Sequence, residues 1–435
     1  MMRILVFFKI AMKYLWRYRR RYLFLFLALG FGFGVVTVIS SLKDSMEENL
    51  YLSAQSHYAG DVLALGYDAD SYISQHMTRK EIDAIFSAAK KAGLDPADAA
   101  VRTIVQAKAQ LYFNGNAVPL KYIVGVDWER EEGYFNKLPY TETPEKPGSD
   151  SIIISVPVAR ELGVRQGDNV ILETVTVTKQ KNTGVFYVAG IVENSNFFSY
   201  YKIFIPRTAL NRLSGFAEDD GSMIGFYLKN RSQIEARRTA LYNELVSQIS
   251  LGPLVYDRDI YEQETRKVDN GVNVFLLTLQ VYLSEVAQLM NAIDLASYVL
   301  YAMMLAIIMV SAGVTCRLIL HERTKETGTM LAMGFYEADV RLIVKLEIFV
   351  MVVFAMAAGF VLAALINRLL SFSSFNWFPG FEVFMRDGRL EALYLPGTTL
   401  FNIFAIFCML GIAIQRPIFR NSRNPLPEML SGGAI

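Results

Sequence analysis

Two segments pair a serine with a lysine three residues later, Ser87-Ala-Ala-Lys90 and Ser199-Tyr-Tyr-Lys202. That spacing can set an amine beside a hydroxyl nucleophile. Neither copy has the Ser-Asp-Asn or Lys-Thr-Gly companion that completes such an acyl-transfer site, so both are read as chance matches. His57, His76 and His321 are far apart and form no His-Glu-x-x-His or Cys/His cluster, which disfavours zinc or haem. Cys316 and Cys408 both fall in apolar stretches, so no disulfide framework is expected. There is no Gly-x-x-x-x-Gly-Lys-Ser/Thr loop to cradle nucleotide phosphates and no Gly-x-Ser-x-Gly elbow. The expectation is a non-catalytic chain with no cofactor of its own.

One segment does carry a chemical signature, of docking rather than of catalysis: His321-Glu-Arg-Thr-Lys-Glu-Thr-Gly-Thr-Met-Leu-Ala-Met-Gly-Phe335. Its first half supplies charges, Glu322, Arg323, Lys325 and Glu326. Its second half puts Met330, Leu331, Met333 and Phe335 on a short helix with little of its own chain to pack on. Apolar side chains displayed beside charges suit the groove of a protein partner. Gly328 and Gly334 would permit close approach or end the helix.

The elements that must position this segment are membrane spans. The chain is 53% hydrophobic yet 20% charged, with a mean hydropathy of +0.27, which fits a mixed membrane and water-facing architecture. A formal net charge of +1 gives no basic field for nucleic acid. Four charge-free runs, 22–42, 295–316, 348–367 and 397–415, are each about 20 residues, enough to cross roughly 30 Å of hydrocarbon as helix. The first is read as a retained anchor, since its apolar stretch is too long for a signal peptide and no cleavage site follows. Lys9, Lys13, Arg17, Arg19, Arg20 and Arg21 precede the first span. Arg317, Arg323, Lys325, Arg341 and Lys345 lie between the second and third. Arg416, Arg420 and Arg423 follow the fourth. The positive-inside rule puts 1–21, 317–347 and 416–435 in the cytoplasm, and 43–294 and 368–396 outside. The span interiors hold no acid or base, which disfavours an ion-coupled transporter.

The inserted region 43–294 reads as α+β. Its first part, Lys43 to Tyr58, is helix-compatible and prolongs the first span. One subdomain is expected from 59–104 and 217–256, built as strand-helix-strand and, later, strand-helix. A β-rich insert, 105–216, separates the two pieces, with Asn114-Gly115 as a hairpin signal. Residues 257–294 read as largely helical, with Phe275, Leu279, Tyr282, Val286, Leu289 and Ile293 on one face. They would form either a stalk prolonging the second span or an amphipathic helix on the domain. The fold class expected is four transmembrane helices with a large α+β extracytoplasmic domain between the first and second.

The segment 321–335 resembles the Glu-Arg-[Thr/Arg]-[Arg/Lys]-Glu-[Ile/Thr]-Gly motif, with its following apolar helix and Gly, of ABC-transporter permeases of the MacB/FtsX/LolC type. Glu322, Arg323, Glu326, Gly328, Leu331 and Gly334 match it, while Thr327 and Ala332 replace commoner Ile and Arg. Ser151 to Asp168, Phe186 to Val192, Ile203 to Pro206, Glu347 and the tail Arg416 to Leu430 resemble further family segments. The resemblance implies a bacterial inner-membrane permease subunit, with the two external pieces as the family's porter-like and β-rich subdomains. The segment 321–335 would be a coupling helix on a separate ABC ATPase that binds ATP and Mg. A second permease subunit, identical or not, would complete the complex. It implies mechanotransmission, with lipoprotein release or export of a hydrophobic substrate as the use, and a lipoprotein or periplasmic adaptor as partner. Two alternatives stay open: an FtsX-like scaffold that activates a cell-wall hydrolase, and a membrane-anchored sensor without an ATPase. Phe197, Phe198, Tyr200 and Tyr201 are candidate substrate or partner contacts.

Overall fold

A computed structural model describes residues 2–17, 19–106, 108–138, 140–193, 202–373, 385 and 389–422. It divides into two compact units: Met1–Glu47, Met290–Ser374 and Arg389–Ile435 in one, Glu48–Leu289 and Phe375–Gly388 in the other. Two helices lead in, α1 (Met2–Arg17) and α2 (Arg19–His57). With 39 residues, α2 is about 58 Å long, roughly twice the hydrocarbon thickness. The boundary between the units falls within it.

The inserted unit follows as β1 (Val62–Asp68), α3 (Arg79–Lys91), β2 (Ala99–Val105), β3 (Ala109–Phe113), β4 (Asn116–Leu120), β5 (Tyr122–Val126), α4 (Glu132–Phe135), β6 (Ser151–Ser155), α5 (Val156–Leu162), β7 (Asn169–Val175) and β8 (Lys181–Val192). It continues with β9 (Lys202–Pro206), α6 (Arg207–Ser214), β10 (Met223–Phe226), α7 (Ile234–Leu245), α8 (Arg258–Thr265), β11 (Val272–Thr278) and α9 (Leu279–Tyr282). The strands form one sheet in the order β11-β1-β10-β2-β5-β9-β6-β8-β7-β3-β4.

Among the described residues, the two largest apolar cores of the inserted unit lie along this sheet. In one, Ile85 and Ala88 of α3 and Leu241 and Leu245 of α7 pack with Val62, Ile224 and Leu276. In the other, Leu111, Ile123, Ile152, Leu172 and Ile203 gather around Leu162 of α5 and Leu210 of α6. The strand β2 serves both, because it changes partner halfway. Ala99 to Arg102 pair with β10, and Thr103 to Val105 pair with β5. The hairpin β3–β4 turns on Asn114 and Gly115, both at positive φ, as the Asn-Gly signal requires. Thr78 precedes α3 and its N–H donates to the Glu81 carboxylate, the capping arrangement that starts a helix cleanly.

The expected helical face from Phe275 to Ile293 is corrected here. Phe275 sits on β11, which pairs with β1 from Val62↔Thr278 to Asp68↔Val272. Val272-Asn-Val-Phe-Leu-Leu-Thr278 favours a strand through its β-branched and aromatic residues, and pairing to β1 overrides the helical spacing. The continuous helix begins at Ser284.

The remaining helices are α10 (Ser284–Glu322), α11 (Thr324–Ala332), α12 (Glu337–Phe372) and α13 (Pro396–Ser422). Among the described residues four stretches are long and apolar enough to cross a membrane: Tyr22–Gln55, Asn291–Glu322, Glu337–Phe372 and Pro396–Phe419. The protein is therefore a multi-pass membrane protein, with an α+β domain between its first and second spans. The helices outrun the charge-free runs. Arg368, expected to open a loop, lies inside α12, because one charge at the end of an apolar run ends the hydropathy signal without ending the helix.

The membrane unit packs Leu25, Leu29 and Phe33 of α2 with Ile308 and Ala312 of α10, Met351 and Ala355 of α12, and Ile406 and Leu410 of α13. Glycines bring α2 and α12 together. A Cβ on Gly30 would lie 3.1 Å from the Ala355 carbonyl oxygen, and one on Gly34 would lie 3.1 Å from that of Gly359. Small residues at such a crossing let two backbones approach, which is how helices gain packing energy in lipid. Asn367 of α12 donates to Ser41 Oγ of α2 at 2.8 Å, a polar tie between the same two helices, and to the Tyr394 hydroxyl at 2.7 Å.

Candidate functional site: a loop helix and its anchors

The motif segment folds as α11, between α10 and α12. Its end is a six-residue cap. The Phe335 N–H donates to the Met330 carbonyl at 3.2 Å, and the Gly334 N–H to that of Leu331 at 3.0 Å. Gly334 has φ +93°, the left-handed C′ position that glycine fills without strain. Glu322, Lys325, Met333 and Gly334 are exposed, Glu326, Met330, Leu331 and Phe335 half-buried, and Gly328 buried. Met333, 68% exposed, and neighbouring Tyr336, 72% exposed, give this end of the segment an uncovered apolar surface. The candidate contacts Phe197, Phe198, Tyr200 and Tyr201 lie outside the described residues.

Arg323, expected among the polar contacts to an ATPase, faces inward here. It is buried, and so is its partner Glu347 on α12. The guanidinium reaches both Glu347 oxygens, one at 3.3 Å through Nη2. It also donates to the Tyr22 hydroxyl at 3.3 Å and to Glu326 at 3.2 Å. Tyr22 in turn donates to Glu347 at 2.7 Å. The guanidinium stacks over the Tyr14 ring of α1, 4.5 Å from its centroid. A planar five-donor group can serve all these partners at once, which is why Arg rather than Lys suits the position. One side chain at the start of α11 thus ties together α1, α2, α11 and α12.

Further along the same unit, Lys43 of α2 pairs with Asp294 of α10 at 2.9 Å and with Glu47 at 3.1 Å. These contacts hold the two long helices side by side where they leave their apolar stretches. Within the inserted unit the last turns of α2 are fastened to the domain. Glu48 makes a two-pronged pair with Arg231 at 2.6 and 2.8 Å. Gln55 donates to both oxygens of Asp61 at 2.8 Å, and Tyr51 donates to the same carboxylate.

Arg102, fully buried on β2, donates to the His57 carbonyl, the final residue of α2. Its Nε holds Glu131 at 2.9 and 3.2 Å. Burial works against the Arg102 charge, but the Glu131 carboxylate outweighs it and holds the group above its ordinary value. Burial also pushes up the neighbouring phenols, Tyr227 to about 12 and Tyr134 further.

Sequence reasoning gave Glu347 no role and did not single out Tyr22, Arg102 or Glu131. Glu347 was visible as a lone acid opening an apolar run, and Arg102 as the one charge in Ala99-Ala-Val-Arg-Thr-Ile-Val105. A charge in such a setting needs a buried partner. The partner itself is distant in sequence in both cases.

Residues 298–422 match the family of FtsX-like permease C-terminal domains. Residues 23–242 match the MacB-like periplasmic core domain, over more than half of the 435-residue chain. The crystal structure of the periplasmic region of MacB from Actinobacillus actinomycetemcomitans is similar at a TM-score of 0.30 and 9% identity, covering 54% of this chain and 95% of that one. At that score it adds no structural argument. No curated protein matches the chain. The two family matches together cover the membrane helices and most of the inserted domain, and the chain belongs to the MacB/FtsX family of ABC-type permeases.

Proposed function

We propose that this chain is the permease subunit of an ABC transporter and carries motion from a separate ATPase to its inserted domain. Both termini and α11 would lie in the cytoplasm and the inserted domain in the periplasm of a bacterial inner-membrane protein, as the basic flanks of the spans require. ATP and Mg belong to the partner ATPase, and a second permease subunit completes the complex. The work is done on a hydrophobic or lipid-bearing substrate. That assignment rests on the size of the inserted domain, which is larger than FtsX-type scaffolds usually carry.

The observation that carries the reading is the way α11 is held. It sits between two membrane-crossing helices, anchored inward by Arg323 and Glu347, with Met333 and Tyr336 uncovered. A helix fixed to the spans on one side and bare on the other can pass a push from a bound partner straight into the spans. On this reading Lys325 and Glu322 make polar contacts to the ATPase, while Leu331, Met333 and Phe335 enter its groove. Arg323 works from behind as the anchor.

Co-purification with a co-expressed ABC ATPase tests the assignment. Met333→Glu with Tyr336→Glu changes only exposed side chains, and should weaken the pairing by about tenfold or more, as loss of an apolar anchor does. Pairing that survives this double change undiminished removes the docking assignment.

A further inference from the structure

Outside the loop helix and its anchors, α1 is the element whose surface is least explained by its own fold. Successive residues step about 100° around a helix, so positions four apart share a face. Phe7 and Ala11 are buried, with Tyr14 beside them under Arg323, and this face packs along α12. The next face carries Phe8, Met12 and Trp16, spaced by four and exposed, Trp16 by 74%. The third face carries Lys9, Lys13 and Arg17, also spaced by four and exposed. Arg19 lies over the Trp16 ring at 5.6 Å, and Arg20 is exposed. No acidic residue precedes Asp44.

Three faces of different chemistry fit one setting. The apolar span begins at Tyr22, six residues after Trp16, so α1 is covalently held at the edge of the bilayer. A protein-facing side, an apolar side and a basic side then match spans, acyl chains and headgroups respectively. Tryptophan with a cation over its ring is suited to the headgroup level. Lys9 and Lys13 are exposed and no acid of their own segment lies near them in sequence, so the surface they complement is negative.

We infer that α1 is an interfacial helix that selects anionic phospholipid, with Phe8, Met12 and Trp16 in the acyl boundary and Lys9 and Lys13 on the phosphate headgroups. It is independent of what α11 binds.

The test uses the full chain in lipid nanodiscs. Trp128→Phe and Trp377→Phe leave Trp16 as the reporter among the chain's three tryptophans. Quenching is compared between phosphatidylglycerol and phosphatidylcholine, each carrying a shallow nitroxide on the acyl chain. The expected result is half-quenching at a mole fraction of labelled phosphatidylglycerol about fivefold lower than of labelled phosphatidylcholine, the factor that one cation at an anionic surface supplies. Lys9→Gln with Lys13→Gln should bring the ratio towards one. A second measurement needs no change in the basic face: raising salt from about 0.1 M to 1 M, which shortens screening to about 3 Å, should erase the ratio in the parent. Equal quenching by the two lipids in the parent overturns the selectivity. Quenching by neither overturns the interfacial placement and shows that the Trp16 face is covered by protein.

Discussion

The two ends of α2 are each held by a buried arginine with a buried glutamate, yet the joints are built differently. At the start, Tyr22 bonds to Arg323 and Glu347, and Arg323 also reaches Glu326 and the Tyr14 ring. At the finish, Arg102 holds Glu131 and donates to the His57 carbonyl. The first arginine opens α11, so any displacement of that helix moves it directly. The second belongs to β2 in the middle of a sheet and meets the helix through its last carbonyl, where a cation complements the free C=O groups and the dipole. On the proposed function, the first joint would act as a lever that moves with α11 and the second as a socket, with α2 carrying displacement between them.

The largest expected effect comes from breaking the lever joint. Arg323→Ala leaves Glu347 buried without a counter-charge, a loss of about 3–5 kcal/mol for buried pairs. It is read by the thermal onset of dye labelling at Cys316, which is buried while Cys408 is exposed, in a Cys408→Ser background. Labelling at an unchanged temperature would mean that the pair does not hold the unit. If the proposed function holds, the same variant should also abolish stimulation of a partner ATPase, since α11 loses its tie to α2 and α12.

The socket offers a sharper contrast. Arg102→Ala alone should destabilise the inserted unit by a comparable amount, about 3–5 kcal/mol. Arg102→Met combined with Glu131→Leu should recover most of that loss, because replacing both charges by apolar groups is often neutral. The corresponding pair change at Arg323 and Glu347 should not recover ATPase stimulation, because Tyr22 and Glu326 would still lose their partner. Equal recovery at both joints would erase the distinction between them. The two cases are measured by proteolysis of the inserted unit and by ATP turnover of the complex.

The smallest effect is expected at the clamp between them. Lys43→Ala removes a partly exposed pair with Asp294, worth about 0.2–1 kcal/mol. The thermal onset of Cys316 labelling should shift by no more than a few degrees. A shift as large as that of Arg323→Ala would show that the side-by-side pairing of α2 and α10, not the joints, dominates.

Much of this was legible in the chain. Charge-free runs of membrane length, their basic flanks and the Glu322–Gly334 motif placed the spans and the loop helix. Local turn chemistry at Asn114-Gly115 and capping at Thr78 placed a hairpin and a helix start. What failed was decided at a distance. Val272–Thr278 looked helical by spacing and became a strand because β1 was there to pair with it. The anchoring bonds of Arg323 went unread because its partners, Glu347 and Tyr22, are 24 and 301 positions away. The glycine crossing of α2 and α12 joins residues equally remote. Periodicity and turn residues report the neighbourhood of a residue in sequence, and each of these features is a fact about its neighbourhood in space.

Hydrogen exchange of the complete permease–ATPase complex, with and without a non-hydrolysable ATP analogue, tests the central claim most directly. If α2 links lever and socket, nucleotide should change amide protection in 324–335 and also in the last turns of α2, 48–57, and the following residues to Asp61. A change confined to 324–335, with 48–61 unmoved, would contradict transmission along the helix.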